Sequence, residues 1–494
     1  MSKTKVALLL ALILIIAGGL RLYHLKELPP GLYPDEAMDG TNAQEALATN
    51  NFKVFYPENN GREGLFMNIQ AGFLTLIKQN EPWVLRIPSA LFGILTVLGL
   101  YFLGRELFSK KIGLLSAFLL ATSFWHINFS RISFRAIMAP FFLVWALYLF
   151  LRAIRRHEKL GESCIFAGLA GLFYGLGLYS YISYRVTPLL FLILIPFFAK
   201  QKSFWKITSV FVGIAFLTAL PLGVYFLNHP ADFFGRTTEV SVFSSASPVK
   251  ALALNTVKTV GMLDFFGDWN WRHNFAGRPE LFWPVGIMFW IGIILAIVAI
   301  KKKFHHGDEH GFALPSVLLW SWLILAALPV VFSGEGIPHA LRSILMLPAL
   351  MILAAWGGTW AYDRIQDFAR FSPNYERLRK IMKTGVWLIL SLLVFEAYAT
   401  YFVLWGNNKN VPAAFDADYV SVARQINALP AEIPKYVVVD AGGVLVRGIP
   451  MPAQTVMFIT DTFVEASREA KNIHYVLPED EAKVPPGVVK FYLK

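Results

Sequence analysis

Of the 494 residues, 56% are hydrophobic and only 16% charged, against about 25% charged in soluble domains; this excludes a soluble globular protein and makes the chain an integral membrane protein. Its single cysteine, Cys164, excludes an internal disulfide and a cysteine-based zinc site. The net charge of +12 does not read as nucleic-acid binding, because the basic residues fall between apolar runs and not on one polar face.

Taken in order, the chain begins with lysines followed by an apolar run from Val6 to Leu20 of signal-peptide length. No convincing small-residue cleavage site follows. Leu22 and Tyr23 extend the run past Arg21, which is expected to snorkel, so an uncleaved first helix is expected. A crossing needs roughly 20 apolar residues. On that basis membrane helices are predicted near 6–23, 83–104, 112–130, 137–152, 164–182, 187–199, 207–227, 281–300, 314–332, 341–361 and 385–405. The stretch 187–199, short and carrying Pro196, is the weakest of these eleven.

Charge supports the count. With the N-terminus cytoplasmic, five inside connections carry the cations: Arg105/Lys110/Lys111, Arg152/Arg155/Arg156/Lys159, Lys200/Lys202/Lys206, Lys301/Lys302/Lys303 and the 362–384 segment. The opposite face receives two long loops, 24–82 and 228–280, and tight turns around Arg131, Tyr184 and Gly334. Within the first long loop, Thr41–Leu47 and Leu65–Ile77 have helical apolar spacing around the turn-rich PENNGREG, which predicts two interfacial helices. The second long loop reads as an ordered lid. After Trp405 the pattern changes to a polar helix, Asp418 to Ala428, and strand-like runs KYVVVD, TVMFIT, HYVLP and VVKFYL. Residues 407–494 are therefore expected to form a small extracytoplasmic α/β domain after a membrane domain of residues 1–406. DAGGVLVRG lacks the lysine and hydroxyl of a Walker phosphate loop.

Asp35, Glu36 and Asp39 follow the first apolar run directly. Carboxylates at that depth are costly and mark a functional site by default; alternatively, Asp35 and Glu36 simply start a helix. On the same face lie Arg131, Arg135, Arg185, His339 and Arg342, in tight turns where the positive-inside rule expects few cations. Arg131 and Arg135 share a face if that stretch is helical. These cations either neutralise the acidic cluster or clamp a phosphate while a carboxylate takes a proton. The lid segment GDWNWRHNFAGRPE offers Trp269, Trp271, Arg272, His273 and Arg278. Its aromatics suit an interfacial belt or, with Asp39, a sugar or acceptor site. HHGDEH at 305–310 contains possible metal ligands, but it lies on the cytoplasmic side without HExxH spacing.

The acidic pair after the first helix, LRIPSALFGILTVLGLYFLGRELF, SRISFRA, LYSYISYRVTP and IPHALRSILMLPAL together resemble the GT-C membrane glycosyltransferases. The likeness is to the protein mannosyltransferase and aminoarabinose transferase-like set, glycosyltransferase family 39 in the broad sense, over residues 1 to 360. It implies an all-α polytopic fold and a polyprenyl- or dolichyl-phosphate sugar donor. It further implies inversion at the sugar and an active site on the extracytoplasmic face of a plasma or inner membrane. Asp35 stands at the family's catalytic acid, with Glu36 beside it, and Arg131, Arg135, Arg185 and Arg342 stand where lipid-phosphate contacts fall. A monophosphate leaving group needs no obligatory metal, although a divalent metal is compatible. The acceptor, whether protein, lipid or glycan, is not legible, because the C-terminal domain departs from the family pattern. A polyprenyl-lipid flippase would also need a cationic headgroup site but not an adjacent carboxylate, and no internal repeat supports it.

Overall fold

The computed structural model describes residues 1–233, 242–245, 247–306 and 311–494, with side chains undescribed at 303–306. The HHGDEH segment consequently falls outside the described side chains. Helices dominate up to Trp405: α1 (Lys3–Leu22), α2 (Pro34–Thr49), α3 (Leu65–Ile77), α4 (Pro82–Leu107), α5 (Lys110–Thr122), α6 (Phe124–Phe129), α7 (Met138–Arg155) and α8 (Leu160–Gly177) come first. They are followed by α9 (Pro188–Leu192), α10 (Ile195–Phe198), α11 (Phe204–Asn228), α12 (Pro248–Gly261), α13 (Trp283–His306), α14 (Ala313–Val331), α15 (Leu347–Ala369) and α16 (Tyr375–Tyr398), the last continuing as a π-helical Ala399–Trp405. Among the described residues nine helices are long and apolar enough to cross a membrane. The other two expected crossings are helical but broken.

The first break is at Ser123, which ends α5 and caps α6 by accepting from the His126 amide. Arg21 fills it: its guanidinium donates to the carbonyls of Leu120 and Ala121, to Ala17 O and to Ser130 Oγ, and lies 2.7 Å from His126 Nδ1. Arg21 is fully buried, so the expectation that it snorkels is corrected. Carbonyls freed in an apolar environment need donors, and a five-donor side chain supplies them. The second break, in 182–198, falls at Pro188 and Pro196, each opening a new short helix after a 3-10 turn at Ile182–Val186.

The C-terminal segment contains a three-stranded parallel sheet with β3 (Lys435–Val439) between β6 (Ile473–Val476) and β7 (Val489–Leu493). Helices α18 (Ala417–Asn427), α19 (Gln454–Thr460) and α20 (Glu465–Ala470) accompany it, and a short helix, α17 (Asn410–Ala414), leads in. The expected strand TVMFIT is α19 instead. All seven of its residues are buried, and a continuous apolar run does not distinguish a strand from a helix buried all round. Thr455 Oγ1 donates to Leu32 O, Thr41 Oγ1 to Gln454 Oε1, and Gln44 Nε2 to Phe458 O. One apolar core therefore runs from Leu32, Met38 and Leu85 into Val437, Val456 and Phe458, and α2 lies beneath the C-terminal segment. Gly31 seals the junction: its φ is +77°, and a Cβ there would lie 2.2 Å from Phe415 O.

Candidate active site

Helix α2 begins at Pro34, whose missing N–H is harmless at the first position, and Glu36 reaches back to the Tyr33 amide at 3.2 Å. This capping places Asp35 and Glu36 in the first turn. Their environments then diverge. Glu36 is completely buried and saturated: Arg86 meets it with two bonds, 3.0 and 3.1 Å, and the Ser133 amide donates at 2.6 Å. Arg86 also donates to Pro29 O and Gly31 O. Among the described residues Asp35 receives only neutral donors, Asn59 Nδ2 at 2.7 Å and the Tyr33 side chain.

Asn59 sits at the tip of a hairpin formed by β1 (Phe55–Tyr56) and β2 (Arg62–Glu63). Asn59, Asn60 and Gly61 all have left-handed backbone, which turns the chain tightly enough for Asn59 and Arg62 both to reach α2. Arg62 donates to Asp39 Oδ1 at 2.7 Å and to Asn42 Oδ1 at 2.8 Å. Burial pushes the Asp39 carboxyl up to about 6, against the opposing pull of Arg62 and Arg135. Glu63 gathers Arg135 at 3.1 Å and Arg185 at 3.6 Å. A second hairpin pins the loop from outside, because Arg447, in the turn between β4 (Leu445–Val446) and β5 (Ile449–Pro450), bonds both Glu58 and Glu45.

Arg185 also lies 5.2 Å from the Phe226 ring and 4.3 Å from the Phe233 ring. Both rings line a groove of roughly 610 Å³ along α11, with Phe216, Leu220, Val224 and Leu227. The Arg185 guanidinium thus lies against two rings of this apolar groove.

The remaining cations go elsewhere. Helix α6 stops at Phe129, so the stretch is not one helix and Arg131 and Arg135 do not share a helical face. Arg131 donates to Leu20 O and Leu28 O and stacks over Tyr401 and Phe402. Arg342 closes its own turn on Ser333 and Glu335. Arg272 lies 3.8 Å from the Tyr33 ring centroid. Burial, and then the neighbouring Asp35 carboxylate, hold the Tyr33 hydroxyl up at about 12. Asp416 faces the same guanidinium, its carboxyl raised by burial to about 6. Arg278 ties the loop to Glu396 and Thr400 at the π-helical end of α16. Trp271 packs on Phe275 and accepts from Trp405 through its carbonyl, whereas the Trp269 ring is 70% exposed.

His273 and His339 meet at Asp268. Their Nδ1 atoms lie 3.0 and 4.0 Å from Asp268 Oδ2, and the three side chains could together hold a metal ion. Sequence reasoning missed Asn59, Arg62, Glu63, Arg86, Asp268, Asp416 and Arg447. Arg86 carried a usable signal, a cation inside an apolar helix. Asn59, Arg62 and Glu63 did not, because turn-rich composition hides which side chains a hairpin aims inward.

A helical membrane bundle with an acid-bearing helix in its first long loop is the GT-C architecture, and the whole-chain comparison places the protein in that fold class. It is similar to ArnT from Cupriavidus metallidurans bound to undecaprenyl phosphate, with a TM-score of 0.57 and 13% identity over 100% of this chain and 90% of that one. It is also similar to the Archaeoglobus fulgidus oligosaccharyltransferase tethered with an acceptor peptide, with a TM-score of 0.56 and 12% identity over 97% of this chain and 64% of that one. Residues 65–225 match the family model of the dolichyl-phosphate-mannose-protein mannosyltransferases. The chain is therefore a membrane protein of GT-C fold. No curated protein matches the sequence.

Proposed function

We propose that this protein is a membrane glycosyltransferase that moves a sugar from a polyprenyl- or dolichyl-phosphate donor to an extracytoplasmic acceptor with inversion. One observation carries the assignment of roles. Glu36, Asp39 and Glu63 are each paired with arginine, whereas Asp35 forms no ion pair among the described residues. A carboxylate held only by neutral donors stays available to take a proton, while a bidentate pair is committed to structure. In the reaction, Asp35 accepts the proton of the acceptor hydroxyl and the resulting oxygen attacks the sugar C1. The C1–O bond to phosphate breaks, and the polyprenyl phosphate leaves with its charge toward Arg135 and Arg185. The apolar groove on α11 suits the lipid chain, and the undecaprenyl phosphate bound to the similar ArnT supports that donor class.

The test is mass spectrometry of lipids and glycans from a host lacking the protein, complemented with the wild type or with Asp35→Asn. A lipid-linked sugar should accumulate and one glycosylated product should disappear unless the wild type is supplied. Unchanged pools in the uncomplemented host would overturn the proposal.

A further inference from the structure

We infer that Asp268, His273 and His339 form a binding site for a divalent cation of the zinc class, separate from the acidic cluster of α2. Three features carry this. First, the ligand atoms converge from two distant parts of the chain and lie within 4.8 Å of one another, with Asp268 and His273 buried. Zinc bonds of about 2.0–2.1 Å place tetrahedral ligand atoms roughly 3.3–3.5 Å apart. The His273–Asp268 separation of 3.0 Å has to open slightly, and the His339–Asp268 separation of 4.0 Å has to close by a similar small amount.

Second, the site is supported from outside. His339 Nδ1 accepts from the Arg342 amide at 3.4 Å, a bond at the long limit that a cation has to displace. His273 Nδ1 shares one proton with Asp268 Oδ2, and a cation takes the place of that proton. The carboxylate is held in place by the amides of Asn270 at 2.8 Å and Ala340 at 2.9 Å, the kind of outer support that orients metal ligands. Third, the local charge calls for a cation. Glu280 is buried beside Asp268, accepts its amide at 3.2 Å, and leaves Oε2 without a partner. Among the described residues Asp268 forms ion pairs with these two histidines and with no lysine or arginine.

Two imidazoles and one carboxylate are the ligand types zinc takes, with a fourth position left for water. The ion would cross-link the second long loop to the turn before α15, behind the Phe134 ring, which also touches Tyr33. The site does not depend on the glycosyltransferase reading.

The experiment uses full-length protein purified in detergent with a non-histidine tag, stripped with chelator and reloaded with zinc alone. One zinc per chain is expected by elemental analysis. It should fall about ten-fold or more in His273→Gln and His339→Gln and be retained when His305, His306 and His310 are replaced together by alanine. Equal zinc in wild type and both glutamine variants, or no zinc retained by any of them, would overturn the inference. Should the glutamine variants fail to fold, zinc X-ray absorption of the wild type decides. Two imidazoles with oxygen support the site; three imidazoles, or none, reject it.

Discussion

The first and second long loops each bury carboxylates, and they neutralise them by different means. On α2 and its hairpin, Glu36, Asp39 and Glu63 meet Arg86, Arg62, Arg135 and Arg185. In the second loop, Asp268 meets imidazoles and backbone amides. A guanidinium is always charged and fixes its partner's charge with it. An imidazole leaves the carboxylate open to exchange a proton for something else. The first loop is thus a rigid electrostatic frame around one uncommitted acid, Asp35, and the second is a set of ligands.

The largest expected effect tests that uncommitted acid. Asp35→Asn keeps size and the contact with Asn59, and turnover with a lipid-linked donor should fall by roughly 100-fold or more while thermal stability is unchanged. Near-normal turnover would make Asp35 another member of the frame. Glu36 is the counterpart. Removing it, or Arg86, strands a buried charge, so Glu36→Ala and Arg86→Ala should each lower stability by about 3–5 kcal/mol. Unfolding in detergent measures this, and equal stability with lost turnover would move the general base from Asp35 to Glu36.

The next effect separates the arginines by position. In Arg135→Lys and Arg185→Lys the planar fork is lost, and donor-lipid affinity should fall by about ten-fold at constant charge. Arg131→Lys loses bonds to Leu20 O and Leu28 O, so it should lower the melting temperature and leave donor affinity in place. The reverse ranking would put the phosphate at Arg131.

The smallest effect is a pH slope. Burial raises Asp416 to about 6 in the folded protein, above the roughly 3.9 of an unfolded chain. The folded state therefore holds the proton more tightly, and this stabilisation, full below pH 4, is lost as pH rises through 6. Asp416→Asn should flatten part of the melting temperature's fall between pH 4 and 6. An unchanged slope would show that Arg272 already offsets the burial.

The membrane class and the helical segments follow from the amino-acid sequence alone, and so does the expectation that residues 35–39 form a site. The bilayer imposes a long apolar run on each crossing and makes any acid near it conspicuous. Where the helices break was less accessible, since Ser123 and Arg21 signal nothing until the carbonyls of Leu120 and Ala121 are seen to need donors. The identity of α19 was likewise hidden, because α2 covers a face that a lone strand pattern would have left open. Which member of the pair Asp35–Glu36 keeps a carboxylate with no cationic partner among the described residues was decided entirely by tertiary structure. The two are adjacent in sequence and equally acidic, but only Glu36 falls within reach of Arg86 and the Ser133 amide, while Asp35 meets Asn59 from the hairpin tip. The fate of a charge depends on partners that folding brings close, and sequence spacing does not record them.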